Sequence, residues 1–365
     1  MDTMLTIPCH WDIAVLAEIL KNNSTVGRIP VGEVYGTLAK SPTGHGRAPS
    51  SVPAVTREGA LDFRERVAVA GLGFTYLLNA PFSFGDDSSR DEVERYVRWV
   101  VEVMKPNGLT IASHELMQFI RGRHPEVAIN ISTVAGVSTR DQLIGFADVW
   151  PKRLIVHHDV NRNFADLRNI MAEAAKRGIE VELMATESCL RRCPSRVAHY
   201  AHLAHSNPDS PFHTTCNVRK LTYPRELLKA NFIRPEDIGM YEEMGVRIFK
   251  ITGRSKRASW LPEVVEAYSS RRYAGNMIRL MGIDPSMNAE EWIYINNLAL
   301  SGFLEFFPQT GVEEDEDSYC ESWIQRLYEA GDFVVRDGSM YEVNESGSLV
   351  CCSPGEKVAS LARPK

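Results

Sequence analysis

The chain has 365 residues, 44% of them hydrophobic and 24% charged, with a formal net charge of −6. These proportions belong to a globular protein with a sizeable core, and the acidic balance argues against nucleic acid as a partner, which usually requires a basic excess. No uninterrupted apolar run approaches the ~18 residues of a membrane span. The N-terminus, whose apolar residues are broken by His10, Asp12 and Glu18, reads as a first strand and helix rather than a leader. Seven cysteines in such a chain suggest a cytoplasmic protein with reduced thiols, used for metal ligation or packing.

In chain order, short apolar strands alternate with amphipathic helices. The strands are expected at Met4–Pro8, Glu33–Leu38, Gly73–Asn79, Gly108–Ser113, Ala128–Thr133, Arg153–Asp159, Val181–Thr186 and Val246–Thr252. Helical spacing of apolar residues falls at Ile13–Lys21, Arg90–Met104, Ser138–Phe146, Asn163–Lys176 and Pro235–Met244. Eight strands, each followed by a helix, are the count of an α/β TIM-type (β/α)8 barrel; a doubly wound open sheet is the alternative. The loop Ser41–Pro53, rich in Gly, Pro and Ser, carries His45 and Arg47 and is long enough to fold over a barrel mouth. Residues 1–285 are expected to form the barrel, and 286–365 a small appended C-terminal α+β unit. That unit reads as helices at Ala289–Phe306 and Ser318–Ala330 separated by the acidic run Glu313–Asp317. A hairpin follows at Phe333–Val343 around Asp337-Gly338, then a short strand at Leu349–Cys352.

Barrel enzymes keep their chemistry at the C-terminal ends of the strands. Those ends supply Cys9 and His10; Asn79; Ser113, His114 and Glu115; His157, His158 and Asp159; Glu187 and Cys189; and Arg254. The densest stretch is Val181–Asn217, with Cys189, Cys193 and Cys216 and with His199, His202, His205 and His213 between the last two. The cysteine spacing is too wide and irregular for a zinc knuckle, where C-x2-C pairs dominate. A cubane iron–sulfur cluster accepts thiolates from separate loops; zinc, or three cysteines that only pack, are the alternatives. Arg191, Arg192 and Arg196 are placed to depress the thiol pKa values. His157 and His158 are adjacent at a strand end, so only one of them should face the barrel interior. Cys320, Cys351 and Cys352 read as structural.

Glu187, Ser188, Cys189, Cys193 and Pro194 followed by Cys216, then Ile233-Arg234-Pro235-Glu236-Asp237, then Phe249-Lys250-Ile251-Thr252-Gly253-Arg254, resemble the collagenase-like peptidase family over roughly residues 4 to 280. The resemblance implies a TIM-type barrel and, as in the oxygen-independent hydroxylases of ubiquinone biosynthesis and RNA modification, a [4Fe-4S] cluster. Cys189, Cys193 and Cys216 would be ligands, with Cys9 as the fourth; Cys320, a non-cysteine ligand or an open iron are the alternatives. It further implies an oxidoreductase that hydroxylates a small molecule in a biosynthetic pathway, with a small organic oxygen donor such as prephenate. Glu187, His157, His158, His199 and His202 would be candidates for proton transfer, and Arg254, with Arg47 and Arg234, for clamping a carboxylate. A protein partner or a second copy stays open, and by its position alone the C-terminal unit is the candidate interface. Two other classes stay open: a peptidase, for which the sequence offers neither a Gly-x-Ser-x-Gly elbow nor His-Glu-x-x-His but does offer Cys189 with His199, and a non-catalytic cluster-bearing subunit.

Overall fold

The computed structural model describes residues 2–21, 23, 25–85, 87–205, 211–283 and 288–362, all but the side chains of 87, 88, 205, 211 and 213. Eight parallel strands close in chain order: β1 (Met4–Pro8), β2 (Val31–Gly36), β3 (Gly73–Leu78), β4 (Gly108–Ile111), β5 (Ile129–Ile131), β6 (Arg153–Ile155), β7 (Glu180–Met184) and β8 (Ile248–Lys250). Met4 lies opposite Ile248 and Leu5 opposite Phe249, so β8 pairs back onto β1. The TIM-type barrel expected from the sequence is the fold. Helix starts after the strands are fixed by side-chain caps that accept from orphan N–H groups: Asp12 from Ala14 and Val15, Ser113 from Leu116, Asn163 from Asp166.

Strand alternation sorts the residues into two faces. Leu5, Ile7, Val34, Phe74, Leu109, Ile129, Leu154, Leu183 and Phe249 are buried in the core between the strands and the helices. The inward positions are unusually polar. Arg153 Nη1 donates to Glu33 at 3.0 Å and lies 3.4 Å from Glu182, Lys250 Nζ lies 3.2 Å from Glu182, and Thr6 Oγ1 donates to Glu182 at 2.5 Å. Each buried charge there has an opposite charge beside it, the condition under which burial of ions is tolerable.

The C-terminal unit departs from expectation. Ala289–Phe306 is not one helix. A short helix at Ala289–Trp292 gives way to β9 (Ile293–Ile295), whose ends are clasped by Asn276: its Nδ2 donates to Ile293 O and its Oδ1 accepts from Ile295 N–H. β9 pairs antiparallel with β10 (Phe333–Val335), so Phe333–Val343 is not a hairpin; β11 (Met340–Val343) pairs instead with β12 (Leu349–Ser353). The acidic run does not separate helices but begins one, Glu313–Glu329, where four carboxylates sit at the positive end of the helix dipole. This helix docks onto the segment between β7 and β8 through Glu316, Asp317 and Glu321, which face Arg191, Arg192, Lys229 and Arg225.

Candidate active site

A cavity of about 730 Å³ opens at the C-terminal end of the barrel. Its floor is the uppermost inward layer of the strands, including Tyr35, Leu77, Thr110, Ser132, Ile155, Met184 and Lys250; its roof is the long segment between β7 and β8 together with Gly46–Ala48 of the loop after β2. The loop rich in Gly, Pro and Ser therefore does cover the mouth. Eight Lys and Arg against three Glu line this space, in a chain whose total charge is negative.

Past β7 the chain turns sharply. Thr186 Oγ1 accepts from Thr252 N–H at 2.7 Å, and Gly282 N–H donates to Thr186 O at 2.8 Å, which ties the ends of β7 and β8 together. Glu187 then folds back on its own turn: Oε1 accepts from the Ser188 N–H at 2.9 Å and the Cys189 N–H at 2.7 Å. Burial works to raise the Glu187 pKa, but the fields of His158 and Arg196 and the bonds from Cys189 prevail and hold it well below the usual carboxylate range. The Cys189 thiol, by contrast, is pushed up to about 12, chiefly by burial, with Arg196 and Lys220 opposing and Glu187 adding to the rise.

Cys189, Cys193 and Cys216 all reach the cavity wall. Among the described residues, the group that brings three ligand atoms within 4.8 Å of one another is His157, His158 and Asp159, so the three thiols do not close on a single ion. Arg191 and Arg192 do not face the thiols: both guanidiniums are forked onto the buried Glu316 at 2.8 to 2.9 Å. Arg196 and Lys220 supply that field instead. Lys220 escaped the sequence reading, although it stands one helical turn after Cys216 in the helix Pro211–Thr222.

Cys9 is corrected. Thr6 points inward to Glu182, so the alternation of β1 sends Leu5, Ile7 and Cys9 outward; Cys9 packs in the core, its Sγ accepting from the Trp11 N–H at 3.3 Å. It is absent from the cavity wall, and so is Cys320, buried in the helix Glu313–Glu329. A strand-end position was read without its face. The histidine pair is corrected as well: β6 stops at Ile155 and a 3-10 turn starts at His158, so the two rings do not diverge but lie 4.3 Å apart at 30°. His199 lines the cavity and stacks on Phe212 at 5.3 Å, whereas His202 meets the edge of the same ring and does not reach the cavity. The side chains of His205 and His213 lie outside the described residues.

Arg254 follows Gly253, whose φ of +142° and whose Cα face, packed against Trp260, leave no room for a Cβ. The turn lays Arg254 over the cavity. It is buried, its Nη1 has no partner, and burial together with the nearby charge of Arg47 lowers its pKa to about 10. Among the described residues Arg47, Lys220 and Arg254 have no carboxylate within 4.0 Å, unlike the cations of the barrel floor. Arg234 differs: it faces Glu236 and Asp237 at 3.4 Å, and so reads as a structural residue rather than as part of a clamp.

No family model matches the chain. It is 24% identical over 238 residues to an uncharacterized protease of Methanocaldococcus jannaschii, an alignment that spans 63% of this chain and 70% of that one. Among solved structures it is similar to a U32 peptidase, with a TM-score of 0.49 and 13% identity over 69% of this chain and 93% of that one. It is also similar to a putative dehydratase from Mesorhizobium loti, with a TM-score of 0.32 and 12% identity over 50% of this chain and 47% of the other. No helix among the described residues is long and apolar enough to cross a membrane.

Proposed function

We propose that the chain is an enzyme that binds an anionic small molecule at the barrel mouth, against Arg47, Lys220 and Arg254, beside a [4Fe-4S] cluster held by Cys189, Cys193 and Cys216. The observation that carries this reading is Arg254. A guanidinium does not deprotonate at physiological pH, and one buried without a counter-charge is costly, so a carboxylate or phosphate is the partner its position suits. Arg47 and Lys220 widen the same claim from one charge to a surface.

The donor set suits the cluster. Three thiols share one wall, spread more widely than one ion takes, and the charges of Arg196 and Lys220 offset the negative charge of thiolate ligation. With Cys9 turned toward the helices and Cys320 buried in the helix Glu313–Glu329, the fourth position would fall to a non-cysteine ligand or to the bound molecule. Bound there, the cluster supplies one-electron chemistry or a Lewis-acidic iron. The chain's own residues orient the anion, keep water off it with Tyr35, Leu77 and Ile155, and place the ionised Glu187 and the ring of His199 where protons can be exchanged. Hydroxylation without dioxygen, with a small organic acid as oxygen donor, is the finer form of this reading.

A second reading has its own observation in its favour: the Methanocaldococcus relative bears the name of a protease. In that reading Arg47 and Arg254 would receive the terminal carboxylate of a peptide. Burial keeps the Cys189 thiol protonated unless a metal takes the place of its proton, which weighs against Cys189 with His199 as a catalytic pair without metal. Iron and acid-labile sulfide analysis of anaerobically purified protein separates the two. About four irons per chain, lost in Cys189→Ala, Cys193→Ala and Cys216→Ala, support the cluster. An iron-free, folded chain that releases amines from peptides would replace it with the peptidase.

A further inference from the structure

Beside Glu187, and not among the residues that line the cavity, His157, His158 and Asp159 converge at the start of the 3-10 turn His158–Arg162. Each offers one ligand atom, and these atoms lie within 4.8 Å of one another. His157 Nδ1 is 3.6 Å from Asp159 Oδ2, and His158 Nδ1 is 3.9 Å from Glu187 Oε2. Two atoms bound tetrahedrally at ~2.1 Å from one ion sit about 3.4 Å apart, so the gap between His157 and Asp159 closes onto an ion with a movement of a few tenths of an ångström. Neither pair forms a hydrogen bond at these distances; His157 Nδ1 accepts instead from the Asp159 N–H at 3.4 Å, a long bond that an ion on this nitrogen would replace.

His158 gives the second, independent sign. Its side chain is 0% exposed, and neither Nδ1 nor Nε2 has a hydrogen-bond partner. A fully buried imidazole whose two nitrogens both lack partners is rare, because each unmet polar atom costs free energy. Its Nδ1 faces the Glu187 carboxylate across a gap that is too long for a hydrogen bond. The neighbouring oxygens are already oriented: Asp159 Oδ1 accepts from the Arg192 N–H and from Asn231 Nδ2, and Glu187 Oε1 from two backbone N–H groups, which leaves Oδ2 and Oε2 toward the histidines. The field of Arg196 reaches this cluster, against those of the two carboxylates.

We propose that His157, His158 and Asp159 bind one divalent transition-metal ion, zinc or ferrous iron, at a site separate from the three thiols. Two imidazoles with carboxylate oxygens are a donor set these ions take, and calcium or magnesium would not choose it. The ion would sit beside Glu187, whose Oε2 is 3.9 Å from His158 Nδ1, and its charge would favour the ionised Glu187 that holds the turn carrying Cys189. The proposal does not depend on the cluster or on the identity of the anion.

Cobalt(II) is the probe, because its spectrum distinguishes thiolate ligation, which brings an intense ligand-to-metal charge-transfer band, from nitrogen and oxygen ligation, which does not. Chelator-treated protein carrying Cys189→Ala, Cys193→Ala and Cys216→Ala together is titrated with cobalt(II) alone. One equivalent with d–d bands and no charge-transfer band is expected. Asp159→Asn, which keeps the Oδ1 acceptor, and His157→Gln should each weaken binding at least about 10-fold, with melting temperatures in the absence of metal unchanged. Absence of binding in the folded triple variant, or equal binding in Asp159→Asn and His157→Gln, would overturn the site. If the triple variant does not fold, the same two substitutions in the otherwise unaltered chain serve. Loss of the d–d component that lacks charge transfer supports the site, and its retention sinks it.

Discussion

At the floor of the barrel Arg153 and Lys250 meet Glu33 and Glu182, whereas at the mouth, on extensions of the same strands and the loops above them, Arg47, Lys220 and Arg254 meet no carboxylate among the described residues. Both regions are buried and both are rich in charge. The floor is complete in itself, with each ion compensated by another that the fold supplies. These three cations of the mouth are compensated only when something enters. A self-contained ion network is what stability requires, and an uncompensated one is what a binding site keeps at the expense of stability.

Substitutions should therefore have opposite signs in the two regions. The largest effect is expected at Arg153. Its replacement by Met removes the partner of Glu33, takes one of the two cations from Glu182, and leaves buried carboxylates without compensation. Loss of one member of such a network costs about 3–5 kcal/mol, read as a lower urea midpoint. A loss under about 1 kcal/mol would mean that Lys250 alone suffices, and the contrast with the mouth would fail. Arg254→Met comes next and goes the other way: it removes an uncompensated buried charge while keeping much of the side-chain volume. Stability should stay level or rise by about 1 kcal/mol, while protection of the chain against heat by small carboxylates or phosphate disappears. Destabilisation of the size seen for Arg153 would show that Arg254 has a partner in the chain and is not waiting for a ligand.

The difference between the two regions also explains how far the sequence could be read. The eight strands are legible because each is a short apolar run, and Gly253-Arg254 is legible because it directly follows one. The floor network is not legible: Arg153 stands 29 residues from Glu182 on the neighbouring strand and 120 from Glu33, which only barrel closure brings to it. For the same reason Glu316 appeared as part of a linker rather than as the anchor of Arg191 and Arg192, 125 and 124 residues away. β9 was hidden because Ile293–Ile295 continues the spacing of a short helix and becomes a strand only through Asn276 and β10. Cys9 and the His157–His158 pair failed on a finer point. Proximity to a strand end is readable, but the face depends on where pairing stops, and one residue reverses it.

Cys9→Ala is the smallest expected effect and the one that sharpens the comparison. Cys9 sits outside the barrel, 3% exposed among Leu5, Ile7 and Phe74, and its sulfur accepts only a weak bond from the Trp11 N–H. Truncation leaves a small gap between strand and helix and should cost about 1 kcal/mol, the lower range for core shortening. Iron and sulfide content should not change, because the residue faces the wrong side of β1 to reach Cys189, Cys193 and Cys216. Loss of iron with little change in stability would mean that the end of β1 turns inward when the cluster assembles. Binding at the mouth would then rearrange the barrel wall rather than fill a cavity already built.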